Sequence, residues 1–206
     1  QESKSFAELL LHRCETAADV PALWTKASPA ISHSRTSGRA SEWTTWGEFS
    51  DDVWRAADAL AELGVASGDR VVQFAENRYE WLVADQAILA LGAIHVPVHA
   101  TLGGRQAWRQ IEHCGAHVVL ASGESQLSRL AGVTSAASQS VRIVAFDVVS
   151  SQVGSPFENR SERALPVAAT NDGLATSNRR LSDGSVLNWH ELLSAAEPQR
   201  GRARAM

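Results

Sequence analysis

The stretch GDRVVQFAENRYEWLVADQAILALGAIHVPVH, Gly68 to His99, decides the fold. Val71 to Ala75 is a short apolar run of strand type. Asn77 follows, with Glu80 three residues on, which is the spacing of a capping box. Trp81, Leu82, Val83, Ala87, Ile88, Leu89 and Leu91 then recur at helical spacing, densely enough to predict a helix buried on more than one side. Gly92 suits the left-handed residue that closes a helix. Ile94 to Val98 reads as a second strand, and Pro97 places it at a sheet edge or a strand end. A strand, a helix from Arg78 to Leu91 and a strand at these lengths form a βαβ crossover, hence parallel strands in one sheet.

Working outward, Thr45 and Glu48 form a second capping box. The helix behind it puts Phe49, Val53, Ala56, Leu60 and Leu63 on one face, and Gly64 ends it. Before it, Phe6 to Thr16 is a short amphipathic helix. Pro21 to Lys26 and Trp43 to Trp46 are strands around a polar, Gly/Ser-rich turn. Downstream, Thr101 to Gly115 carries a helix whose start Gly103 and Gly104 weaken. His117 to Ala121 and Val141 to Phe146 are strands with a short helix, Glu124 to Leu130, between them. The alternation predicts an α/β fold with a layered, mostly parallel sheet flanked by helices.

Several blocks together resemble the N-terminal region of the AMP-forming acyl-CoA synthetases, members of the adenylate-forming superfamily. They are Gly68-Asp69-Arg70-Val71, Glu76-Asn77-Arg78 with Glu80-Trp81, Ala90-Leu91-Gly92-Ala93 leading to Val96-Pro97, and Thr45-Trp46-Gly47-Glu48-Phe49. Their spacing is similar to that of the long-chain fatty acid branch. A weaker echo lies at Trp189 to Leu193, just before the point where that family carries its phosphate-binding loop. The resemblance implies the N-terminal subdomain of the adenylate-forming fold over residues 1–149. It implies a complete enzyme that uses ATP and Mg²⁺ to make an acyl-adenylate and then transfers the acyl group to CoA. The remaining span, 150–206, is expected to be a polar, poorly ordered tail with one short helix near 187–195. Ser150 to Asp183 in particular lacks apolar periodicity.

Composition agrees with one globular domain. Of 206 residues, 44% are apolar and 20% charged, and the formal net charge is -4. There is no basic stripe to suggest nucleic acid. Two cysteines, Cys14 and Cys114, are too few for a disulfide framework and suggest a reducing, cytoplasmic setting. No apolar run approaches the roughly 20 residues that span a bilayer. The sequence starts at Gln1 and has its one methionine at Met206, so it is expected to lack its natural beginning, with an arbitrary end.

The chemistry sought is mostly not found. Holding ATP phosphates calls for a glycine-rich loop with amides and a cation. The only lysines are Lys4 and Lys26, neither in such a loop. Ser122-Gly123-Glu124-Ser125 is the nearest imitation, with an acid inside and no lysine. His95, His99, His113, Cys114 and His117 invite a metal, with two pairs spaced by four. Pro97 keeps the first pair extended, which sets them about 13 Å apart at roughly 3.3 Å per residue, and Gly115 interrupts the second. Trp46, Trp54, Trp81 and Trp108 read as core residues or, alternatively, as lining of an acyl pocket. Asp51-Asp52 and Glu76 read as helix-start charge and a loop acid rather than paired catalytic carboxylates. No catalytic, cofactor-binding or metal residue is assigned, and the substrate-binding residues stay unknown. The expected function is an N-terminal portion of a long-chain fatty acid–CoA ligase that is inactive alone. A fatty acid and the remainder of the enzyme are its expected partners. The alternative is a binding or scaffolding module that keeps only the fold.

Overall fold

A computed structural model describes residues 6–26, 41–133, 141–147 and 186–196. The elements in order are α1 (Phe6–Thr16), β1 (Pro21–Lys26), β2 (Ser41–Thr45), α2 (Trp46–Glu62), β3 (Arg70–Ala75), α3 (Tyr79–Ala90) and β4 (Ile94–His99). They continue with α4 (Gly104–Cys114), β5 (Val118–Ala121), α5 (Glu124–Ala131), β6 (Arg142–Ala145), β7 (Leu187–Asn188) and α6 (Trp189–Ala195). The span Ser150 to Asp183, read from sequence as poorly ordered, lies outside the described residues.

The main sheet has the order β4-β3-β5-β6-β7, and every neighbouring pair is parallel. β3 and β4 pair in register from Arg70 opposite Ile94 to Ala75 opposite His99, with β4 at the edge, as Pro97 requires. β1 and β2 form a separate antiparallel pair that leans on α2.

Strand alternation sorts the core into two layers. Val71, Ala75, Val118, Leu120, Val144 and Phe146 face one side, where they meet α2, α3 and Trp189 of α6. Val72, Phe74, Val98, Val119, Ala121 and Ile143 face the other, where α4 and α5 cover them through Trp108, Ile111, Leu127 and Leu130. Helices thus lie on both faces, and the chain runs outward from β3 in two directions: to β4 on one side, then back across to β5 and β6 on the other. α3 is covered by the sheet, α1 and α2, and of its apolar residues only Leu82 is largely exposed.

The Thr45 capping box is present. Thr45 N donates to Glu48 Oε2 at 2.9 Å, and Glu48 N donates to Thr45 Oγ1 at 3.3 Å. The Asn77 box is not. α3 begins one residue later, with Arg78 as N-cap and no side-chain cap. Glu80 turns away to Arg78, because an ionic, forked partner outcompetes a single amide. Asp51 and Asp52 lie in the second turn of α2, not at its start, and Asp52 accepts a hydrogen bond from Tyr79 OH at 2.8 Å, tying α2 to α3. The short helix expected near 187–195 is α6, which starts at Trp189 after the two-residue strand β7. Leu187 and Asn188 pair with β6, and Asn188 then caps α6 by accepting from His190 N. Gly104 is a close-approach glycine: a Cβ there would lie 1.8 Å from Arg129 O of α5.

Candidate functional site

In a doubly wound sheet, ligands bind beyond the carboxyl ends of the strands, at the point where the strand order reverses. Here that point lies between β3 and β5, so the residues that follow them, Glu76 and Ser122, mark the candidate site. Each ends an apolar strand, and parallel pairing brings them together across 46 positions of sequence. Glu76 N donates to Ser122 Oγ at 3.0 Å, and the Ser122 hydroxyl donates to Glu76 Oε2. Gln126 Nε2 donates to Glu76 Oε1 at 2.6 Å and lies 3.4 Å from Ala100 O, beyond β4. Arg129 Nη1 donates to Ala100 O at 2.6 Å. Ser122 and Gln126 are buried. The loops after β3, β4 and β5 are thereby tied to one another.

Partial burial pushes the Glu76 carboxyl upward. Hydrogen bonds from Ser122, a backbone N–H and Gln126, with the nearby Arg78 charge, outweigh it and hold the group below its ordinary value. Glu76 is therefore ionised at neutral pH, a negative charge set at the mouth of the crevice.

Beside it lies an ionic triad. Arg78 Nε meets Glu80 Oε2 at 2.7 Å, and Arg78 Nη2 meets Asp147 Oδ1 at 2.8 Å, with the guanidinium 5.6 Å from the Phe146 ring centroid. Burial alone would favour losing the Arg78 proton, but hydrogen bonds and charge from Glu80 and Asp147 push its pKa upward. The same carboxylate crowds Gly123, where a Cβ would stand 2.7 Å from Asp147 Oδ2. Nearby, burial first and then the Asp52 charge raise the Tyr79 phenol, while burial raises Asp52 itself.

Ser122-Gly123-Glu124-Ser125 does occupy the turn where a phosphate loop would be useful. Its serine hydroxyl is committed to Glu76, its first helical residue is Glu124, and no lysine is near it in sequence. These residues do not fit ATP phosphates, since the incoming negative charge would meet carboxylates. Lys26 ends β1, and Lys4 lies outside the described residues.

The histidines stay apart in role. His95 Nδ1 is 2.7 Å from Asp85 Oδ1, His117 Nε2 is 3.9 Å from Asp69 Oδ2, and His99 and His113 are exposed. Among the described residues no group of three His, Cys, Asp or Glu could hold a metal ion. Cys14 and Cys114 are both unpaired. Trp108 is buried with Nε1 donating to Leu130 O at 2.9 Å, and Trp46, Trp54 and Trp81 are half-buried against the core. Trp24 and Trp43 sit opposite each other on the outer hairpin and are exposed.

The Glu76–Ser122–Gln126 cluster and the Arg78–Asp147 pair are contacts that sequence reading missed. The available signal was topological: polar residues that directly follow apolar strands of one parallel sheet converge at one end of it.

The AMP-binding enzyme family matches residues 12–182. The long-chain-fatty-acid–CoA ligase FadD15 of Mycobacterium bovis is 40% identical over 91 residues, which is 43% of this chain and 15% of that protein. A 3-[(3aS,4S,7aS)-7a-methyl-1,5-dioxo-octahydro-1H-inden-4-yl]propanoyl:CoA ligase of Mycobacterium tuberculosis is 38% identical over 76 residues, 37% of this chain and 15% of that one. Among solved structures, a benzoate CoA ligase from Burkholderia xenovorans LB400 superposes with a TM-score of 0.61 at 19% identity, over 95% of this chain and 29% of that chain. The chain thus spans a small part of the length of the relatives it matches.

Proposed function

The chain belongs to the AMP-binding enzyme family, and on that premise we propose that it is the N-terminal part of an AMP-forming acyl-CoA ligase whose acid is a long-chain fatty acid. The observation that supports the acid class is the 40% identity with a long-chain ligase. In the whole enzyme, ATP and Mg²⁺ supply the activation of the carboxylate and CoA accepts the acyl group. The described residues of this chain supply none of that chemistry: attack on the α-phosphorus builds charge on phosphate oxygens, and the switch point presents Glu76 and Glu124 to it. The chain alone forms no acyl-adenylate. Its role in the ligase is to hold the loops after β3, β4 and β5 fixed for the remainder of the enzyme.

On the same reading, residues 1–149 form the subdomain and 150–206 lead toward the rest of the enzyme, with β7 and α6 returning to the sheet. Among the described residues no helix is long and apolar enough to cross a membrane. Two unpaired cysteines support a reducing, cytoplasmic setting.

The test is fatty-acid-dependent exchange of pyrophosphate into ATP, with acids of several chain lengths and Mg²⁺. No exchange is expected from this chain, and exchange is expected from a version extended through a phosphate-binding loop and the C-terminal half. Exchange by the chain alone, scaling with its concentration, would overturn the assignment of inactivity. A silent extended enzyme would remove the ligase reading and leave the binding or scaffolding module.

A further inference from the structure

The β1–β2 hairpin carries the most exposed large apolar side chains among the described residues. Trp24 and Trp43 stand directly opposite each other across the antiparallel ladder, so both rings leave the same face, and they are 57% and 62% exposed. Leu23, the neighbour of Trp24, points the other way and packs against the core. The hairpin is thus held on one face only. Among the described residues β1 and β2 pair with each other and with no other strand. A two-stranded ribbon is marginal in water without such further support.

The edge of the main sheet offers no comparable face. Ile94 is exposed there, at the start of β4. Ile94 N donates to Asp69 O, so the amides of residues 94, 96 and 98 face β3 and positions 95, 97 and 99 face outward. Pro97 takes the middle outward position and has no N–H to give, which closes that edge to a further strand.

Size decides the kind of partner for the hairpin. The two rings expose roughly 300 Å² between them, taking about 250 Å² for a whole side chain. A second copy, or any separate protein, needs about 800 Å² a side for a specific, stable interface. A segment of the same polypeptide needs far less, because it is held at an effective concentration of about millimolar and pays little further translational entropy. A patch of this size therefore suits an intramolecular occupant, and the chain is a minor part of the length of its relatives.

We propose, resting on the ligase reading above, that the Trp24–Trp43 face is an internal interface of the complete enzyme. The remainder of the same polypeptide covers it with apolar side chains, and the hairpin is the strap by which this α/β unit grips the rest.

The test compares this 206-residue chain with the version extended through the C-terminal half, both labelled with 5-fluorotryptophan. Trp24→Phe and Trp43→Phe assign the two ¹⁹F resonances. A soluble paramagnetic agent should attenuate both strongly in the chain alone, and that attenuation should be lost in the extended enzyme. Equal attenuation in the two proteins would overturn the proposal, and so would rings already protected in the chain alone, since a segment of this chain would then cover them. Trp24→Thr with Trp43→Thr, which keeps strand propensity, should leave the thermal midpoint of the chain nearly unchanged and lower that of the extended enzyme. An equal loss in both would show a pair that serves the hairpin only. Pyrophosphate exchange on the same extended sample reports the ligase reading separately: an active enzyme with exposed rings sinks the interface alone, and a silent enzyme with protected rings sinks the ligase reading alone.

Discussion

Two adjacent glycines should respond to substitution in opposite directions. A Cβ on Gly104 would lie 1.8 Å from the carbonyl oxygen of Arg129, 2.7 Å from its carbon and 3.2 Å from Val133 Cγ2. The obstacle is backbone of α5, which is anchored by buried Leu127 and Leu130 and by the Trp108 bond to Leu130 O. α4 and α5 would have to part by about 1.2 Å to bring the nearest contact to 3.0 Å. Overpacking of this kind costs about 1–3 kcal/mol, against which alanine's better helix propensity returns less than about 1 kcal/mol. Gly104→Ala should therefore lower the thermal midpoint by roughly 2–8 °C for a chain of this length. Gly103 is different. It is the N-cap of α4, with φ -68 and ψ 150, and its Cβ would find only Gln106 Oε1, at 3.9 Å. Gly103→Ser adds a capping acceptor and restricts the unfolded chain, which together stabilise by about 0.5–1 kcal/mol and raise the midpoint by roughly 1–4 °C. Thermal unfolding of the full chain, followed by circular dichroism, reads both. A Gly104→Ala variant as stable as its parent, or a shift of the same sign for both, would refute the close approach of α4 and α5.

Two further outcomes follow from the polar clusters. Arg78→Ala strands Glu80, whose side chain is 4% exposed, and should cost about 3–5 kcal/mol in urea unfolding, whereas Arg78→Lys should recover only part, because one ammonium cannot fork to both Glu80 and Asp147; a loss below about 1 kcal/mol for the alanine variant would remove the triad from the account of stability. For Glu76, the folded pKa lies below the ordinary 4.5, so its contribution is present above that value and is lost as pH falls through the depressed one. The stability gap between the parent and Glu76→Gln should close on acidification, and a gap independent of pH would show that the carboxylate charge is not what Ser122 and Gln126 stabilise.

What the sequence made legible was local or periodic. Val71 to Ala75 and Ile94 to Val98 are short apolar runs, and the helix between them is too apolar to face water, so the parallel unit could be read without coordinates. Gly92 was readable because closing α3 requires a left-handed residue; its φ is 67°. The Asn77 box failed because two partners competed for Glu80, and the winner, Arg78, was visible only as one more charge. β7 was hidden because a strand of two residues carries no period. Gly104 looked like a weak helix start because its reason, the path of α5, lies 25 residues away. The candidate site was least legible: Glu76, Ser122, Gln126 and Asp147 each look like ordinary loop or helix polarity until the sheet order brings them to one end.

That end of the sheet bears directly on what the chain can do. A crevice beyond parallel strands favours anions when a helix start offers free amides and a cation stands by. α5 does start there, but Glu124 sits in its first turn, and the Glu76 carboxylate already holds Ser122 and Gln126. Arg78, the nearest guanidinium on the same loop, is spent on Glu80 and Asp147. A phosphate arriving here would have to displace a charge-assisted network and then sit beside the carboxylates it released. Removing Glu76 alone would not reverse this, because Arg78 would stay bound to its two acids. The network serves better as a brace: it fixes the loops after β3, β4 and β5 at one height above the sheet, as a rigid wall would need to be for a ligand whose charge is met from elsewhere.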